Sequence, residues 1–168
     1  MHKFLAATLA SLLLILPSVA GAEDLTMPAG DTILTVTGAI THTNAAGAAK
    51  FDLVMLEALP GQETKTTTPW YDGERTFTGP LGFSLLEVVG ASGTMMKVTA
   101  INDYTTEVPI ADFESYRVLL ATRIDGEAIS VRDKGPIFII YPFDDQPDLN
   151  NETYYGRSAW QVKSIEIY

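Results

Sequence analysis

Apolar positions in this chain come in short runs punctuated by Gly, Pro, Asn and Asp, and the spacing within each run predicts its conformation. The sharpest change of character spans residues 131–142, where Arg132, Asp133 and Lys134 run into Gly135-Pro136 and then into Ile137, Phe138, Ile139 and Ile140. A β-branched and aromatic run without alternation, bounded by Gly-Pro and by Pro142, predicts a strand buried on both faces. The three charges therefore stand at the mouth of a core strand. They form either a solvated turn or a rigid cationic edge suited to a ligand.

The same reading along the chain predicts a first strand at 32–38, rich in Thr, Ile and Val, then a loop at 41–49 made of Asn, Gly and Ala. Asp52 is placed to cap a short helix carrying Leu53, Met55, Leu56 and Leu59, stopped by Pro60-Gly61. Residues 62–68, polar and Thr-rich, predict an exposed or edge strand. Tyr71-Asp72-Gly73 predicts a turn, and Gly79-Pro80 a further break. A second short helix is expected at 83–89, closed by Gly90. Residues 97–101 and 104–109 form a strand pair around the Asn102-Asp103 turn, with a helical turn at 112–114. Residues 117–124 predict a strand turned by Asp125-Gly126 toward Ala128 and Ile129. Residues 142–157 are long, acidic and without apolar periodicity, and loops of that length in a compact domain are often functional. Residues 160–168 alternate as a closing strand. The elements sum to one α+β domain, strand-rich, with short helices.

Residues 1–22 change the picture of where the chain works. Lys3 gives a basic start, residues 4–16 are apolar or small, and Ala20-Gly21-Ala22 is a small-x-small cleavage site, the pattern of a secretory signal peptide. Residues 23–168 are then a single mature domain, expected outside the cytosol and in solution. The formal net charge of the whole chain is −10, and loss of Lys3 makes the mature protein more acidic still. Such a surface repels phosphate backbones and anionic lipid, which argues against nucleic-acid or membrane-surface work. There is no cysteine, so thiolate catalysis, disulfide exchange and thiolate metal sites are excluded. His42 is the one histidine left after the leader, too few for a multi-His metal site.

The order of short motifs resembles a known family. Thr-Pro-Trp at 68–70, Phe-x-Gly-Pro at 77–80, Ala-x-Asn-Asp-Tyr at 100–104, Val-Pro-Ile-Ala-Asp at 108–112, Arg-Asp-Lys-Gly-Pro at 132–136, Ile-Ile-Tyr-Pro at 139–142 and Trp-Gln-Val at 160–162 are similar to the molybdopterin-binding domain of the sulfite-oxidase type. The resemblance implies a mixed-sheet, barrel-like α+β fold able to hold a pterin. Catalytic members hold molybdenum through a cysteine thiolate, which this chain lacks, so no metal is expected. The small exported, cysteine-free branch resembles periplasmic pterin-binding regulators. That implies a pterin, in a form not far from molybdopterin, as ligand, and as partner the periplasmic part of an inner-membrane signalling protein such as a cyclic-di-GMP synthase/phosphodiesterase. Two rivals stand beside it: a molybdopterin oxidoreductase with a non-cysteine metal environment, and an interaction domain that has lost its ligand.

A pterin is a flat heterocycle with donors and acceptors on its rim, so binding it calls for aromatic or guanidinium planes and for in-plane carboxylate or amide groups. The candidates are Trp70, Asn102, Asp103, Tyr104, Arg132, Lys134, Tyr141 and Arg157. Each has a plainer alternative. Trp70 can be a core indole, Asn102 and Asp103 a generic turn pair, Tyr104 a residue packed across its hairpin, Arg132 and Lys134 solvated charges, and Tyr141 a packed ring with a wet hydroxyl. Arg157 and Trp160 flank the end of the acidic loop and can close the site, Trp160 reading otherwise as core. The acidic run at 144–148 lacks calcium-loop spacing and reads as a solvated face or partner surface.

Overall fold

The computed structural model describes residues 25–168, so the leader expected at 1–22 lies outside the described residues. The strands are β1 (Leu34–Gly38), β2 (Ala48–Phe51), β3 (Gly61–Thr68), β4 (Tyr71–Pro80), β5 (Met95–Ala100), β6 (Thr105–Pro109), β7 (Leu119–Ala121), β8 (Arg123–Ile124), β9 (Glu127–Ala128), β10 (Phe138–Ile140) and β11 (Val162–Ile167). The helices are short: α1 (Leu53–Glu57), α2 (Gly82–Val88), α3 (Ile110–Ser115) and α4 (Glu152–Arg157). This is the mixed, strand-rich α+β organisation expected from the sequence. Among the described residues no helix is long and apolar enough to cross a membrane.

Three sheets result, with orders β2-β1-β11-β5-β6, β3-β4-β8-β9 and β10-β7. In the first, β1 and β11 pair in parallel, Val36 opposite Ile165, while the other neighbours are antiparallel. None closes on itself, so open sheets stand where a barrel-like form was expected.

The β10 strand behaves as its composition demands. Ile137, Ile139 and Tyr141 join a large core that includes Leu34, Val36, Phe51, Val98 and Phe113, whereas Phe138 and Ile140 join a smaller one with Phe77, Leu119 and Ala121. Successive side chains of a strand point to opposite faces, so a strand between two cores must be apolar at every position. Gly135-Pro136, joined by a cis peptide bond, brings the chain into this strand.

Several local expectations change. Residues 48 and 49, expected to end a loop, open β2, which pairs with β1 as far as Phe51; small alanines there concealed the pattern. The expected turn at Tyr71 and break at Gly79-Pro80 are the two ends of the ten-residue β4, paired along β3 from Gly61↔Pro80 to Thr67↔Glu74. The turn itself falls on Pro69-Trp70. The expected strand at 117–124 divides into β7 and β8, which belong to different sheets. The acidic stretch holds a 3₁₀ turn at Pro147–Leu149 and then α4, whose N-terminus is capped by Asn151 accepting from the Thr153 N–H at 2.9 Å. Asp52 caps α1 as expected, accepting from the Met55 N–H at 2.9 Å. It also ties down the N-terminal segment through the N–H groups of Ala29 and Gly30.

Candidate functional site

Three chain reversals meet at one end of the β5–β6 hairpin and enclose a cleft of about 350 Å³. The β3–β4 turn contributes Trp70, the β5–β6 turn contributes Asn102 and Tyr104, and α4 with its exit contributes Glu152, Tyr155, Gly156, Ser158, Ala159 and Trp160. That volume falls in the range of roughly 300–1,000 Å³ typical of small-molecule sites.

Local sequence explains how each side chain arrives. Pro69 forces the reversal that puts Trp70 outside the ladder. Its half-buried indole packs edge-on against Phe138 at 5.2 Å, Trp160 at 5.9 Å and Tyr155 at 6.0 Å between ring centroids. These edge-to-face arrangements are the favoured ones for aromatic pairs and hold the rings in place. Asn102 Oδ1 accepts from the Tyr104 N–H at 3.2 Å, closing an Asx turn and leaving the amide N–H groups to donate elsewhere. Across the cleft, the Tyr104 hydroxyl donates to the Gly156 carbonyl at 3.4 Å, joining hairpin to helix. The spacing i, i+3, i+4 sets Glu152, Tyr155 and Gly156 on one face of α4, and that face lines the cleft. Ser158, buried, donates its hydroxyl to the Tyr154 carbonyl at 2.8 Å and closes the helix end.

The opposite face of α4 is anchored. Arg157 donates from Nη1 to Asp112 Oδ2 at 2.9 Å, and its guanidinium lies over the Tyr154 ring at 5.2 Å. The same Asp112 oxygen accepts from the Tyr141 hydroxyl at 2.7 Å. Burial, and after it the Asp112 carboxylate, raise the Tyr141 pKa far above that of an ordinary phenol, so it remains a donor. A cation at the last residue of a helix also faces the negative end of its dipole.

Of the eight expected residues, the structure brings Trp70, Asn102 and Tyr104 into the cleft. Tyr141 is not a cleft wall: its side chain is wholly buried in the larger core because Asp112 satisfies its hydroxyl there. Arg157 supports the helix that lines the cleft, its guanidinium committed to Asp112. Asp103, with positive φ, turns outward to Lys163, Oδ1 to Nζ 2.6 Å, and this ammonium lowers its pKa. Arg132 is exposed on the 3₁₀ turn at Val131–Asp133, and Lys134 Nζ sits 4.9 Å over the Tyr71 ring; neither lines the cleft. The turn is nonetheless tied to its wall, since Gln161, next to Trp160, donates from its backbone N–H to Lys134 O and from Nε2 to Val131 O. Within the acidic loop, Asp144 is neither free nor merely solvated. It accepts from the Thr67 N–H at 2.7 Å and hydroxyl at 2.6 Å, bracing the end of β3.

Glu152 and Tyr155 escaped the sequence reading because α4 was hidden in an apparent loop, and Trp160 was read mainly as core. The signal that finds them is Asn151 as an N-cap followed by Glu152, Tyr155 and Gly156 at helical spacing. A second groove of about 440 Å³ lies beside β3, β4 and α1, with no aromatic lining. Its cation, Arg123, is held by Glu57 at 2.9 and 3.0 Å, and that guanidinium lowers the Glu57 pKa. Compared with models of known protein families and with curated proteins, the chain matches none.

Proposed function

We propose that this protein is a non-catalytic pterin-binding protein, exported to the periplasm by its N-terminal leader. In this reading it acts by engaging the periplasmic part of an inner-membrane signalling protein such as a cyclic-di-GMP synthase/phosphodiesterase. The reading includes a chain path of the sulfite-oxidase molybdopterin-domain type. The observation that carries it is the Trp70–Trp160 cleft: aromatic rings on its walls, an amide at Asn102 and a carboxylate at Glu152. Planar rings favour a flat ligand, and the two polar groups supply a donor and an acceptor for its rim. An open cleft with polar groups at its edge also weighs against a domain that has lost its ligand.

The test uses the mature protein and a series of oxidised and reduced pterins. The chain has only two tryptophans, Trp70 and Trp160, and both line the cleft, so tryptophan fluorescence, excited beyond the absorption of the seven tyrosines, reports on the site. Saturable quenching at micromolar pterin is expected. Absence of any change with every pterin, together with no heat of binding by calorimetry, overturns the reading. The partner is tested by reconstituting the membrane enzyme with and without pterin-loaded protein and measuring cyclic-di-GMP turnover.

A further inference from the structure

Among the described charged residues near the cleft, Glu152 alone both lines it and has no partner; Arg132 is likewise unpaired but lies outside the lining. Arg157 is committed to Asp112 and Asp103 to Lys163, while Lys134 lies over Tyr71. Glu152 makes no hydrogen bond or ion pair with any described residue, is exposed at the rim, and is the one charged side chain of the cleft lining. Among the described residues no lysine or arginine lines this cleft. A lone carboxylate beside aromatic walls is matched by a planar ring whose edge presents two parallel N–H donors, since an ionised carboxylate accepts two such bonds side by side.

We infer that Glu152 reads the donor edge of the ligand, so that the cleft takes uncharged flat heterocycles carrying a cyclic-guanidine edge, a 2-amino group beside a ring N–H, and rejects analogues with a carbonyl in place of that amino group. This deepens the pterin reading and rests on it for the identity of the ligand. The selection is electrostatic. A 2-oxo analogue has the same outline and stacks as well on Trp70 and Trp160, but it turns a carbonyl oxygen toward the carboxylate. One charge-assisted bond is replaced by a repulsive contact, a change of about ten- to hundredfold in affinity. Asn102 cannot perform this discrimination alone, because a neutral amide can reorient to offer either its oxygen or its nitrogen.

The experiment compares pterin with lumazine, its 2-oxo counterpart, and guanosine with inosine, a neutral purine nucleoside that lacks only the 2-amino group. Each is titrated by calorimetry and Trp fluorescence into wild-type protein and the Glu152→Gln variant. Wild type is expected to bind pterin at least about tenfold more tightly than lumazine. Glu152→Gln should lose about tenfold or more for pterin while keeping or gaining affinity for lumazine, a reversal that a merely structural role does not produce. Glu152 is exposed in the first turn of α4, and the Asn151 cap persists in the variant; an unchanged thermal midpoint verifies the fold. Equal binding of pterin and lumazine to wild type overturns the inference and leaves the pterin reading standing. If neither pteridine binds but guanosine is preferred over inosine in a Glu152-dependent way, the pterin reading falls and the inference holds. Failure of all four ligands overturns both.

Discussion

Asp112→Ala offers the sharpest test of how α4 is held. One buried carboxylate oxygen accepts from Tyr141 at 2.7 Å and from Arg157 at 2.9 Å. Its removal strands two donors of different kinds. The Tyr141 hydroxyl belongs to a side chain with no solvent exposure, so it loses its partner without gaining water, a cost of about 1–3 kcal/mol. The Arg157 side chain retains 24% exposure and can turn outward, which keeps its share below the roughly 3–5 kcal/mol of a fully buried broken pair. Together these place Asp112→Ala at about 3 kcal/mol of destabilisation, a large fraction of the roughly 5–15 kcal/mol by which a domain is stable. Tyr141→Phe removes donor and demand together and should cost only about 1 kcal/mol. Urea unfolding followed by far-UV circular dichroism measures both. In the double variant the cost should fall short of the sum by about 1 kcal/mol or more, because the hydroxyl that Asp112→Ala orphans is no longer there. A loss within about 0.5 kcal/mol for Asp112→Ala, or strict additivity, refutes the shared-oxygen account.

Other consequences follow from the same geometry. Trp160→Ala removes a wall of the cleft and should weaken pterin binding about tenfold or more by calorimetry, on the scale of aromatic stacking on a base, while loss of its edge-to-face contacts with Trp70 and Phe138 should lower stability by about 1–3 kcal/mol in urea. The Asp52 pKa lies below its ordinary value of 3.8, chiefly because the Met55 and Gly30 N–H groups donate to the carboxylate. Its folded form therefore binds fewer protons than the unfolded chain. The stability it contributes is present above the unfolded pKa and is lost as pH falls through the lowered folded one. Asp52→Asn should accordingly flatten the acid limb of stability against pH, measured as urea midpoints between neutrality and strong acid. Arg157→Ala should weaken pterin binding several-fold without contributing a ligand contact. Amide exchange separates this from a direct role, since α4 should open faster in the ligand-free variant than in wild type.

How far the sequence was legible depended on whether local spacing or long-range pairing decided the outcome. β10 was legible because a strand between two cores has no polar position to blur it. Asp52 and α1 were legible because a cap is a local event. β4 was not, since Gly73, Gly79 and Pro80 carry turn signals that a long antiparallel partner overrode. The β1–β11 parallel pair joins the two ends of the described chain, a link that local spacing cannot reveal. At the site, Asn102 and Tyr104 were accessible because the Asn-Asp turn announces itself, and Trp70 because Pro69 before it marks a break even though the turn was expected two residues later. Tyr141 misled because a strand end beside Pro142 looks exposed until Asp112 is found facing it across 29 positions of sequence.

The two faces of α4 carry different duties, and the helix is too short to perform either alone. Six residues give fewer than two turns, below the length at which an isolated helix holds together in water. Its order must therefore be supplied from outside: by the Asn151 cap at one end, by Arg157 on Asp112 at the other, and by the Tyr104 hydroxyl across the cleft. A ligand between Trp70, Tyr155 and Trp160 adds a further contact to a segment already near the limit of its own stability. Binding and ordering of α4 are then two expressions of one equilibrium, since a ligand that prefers the ordered form must increase its population.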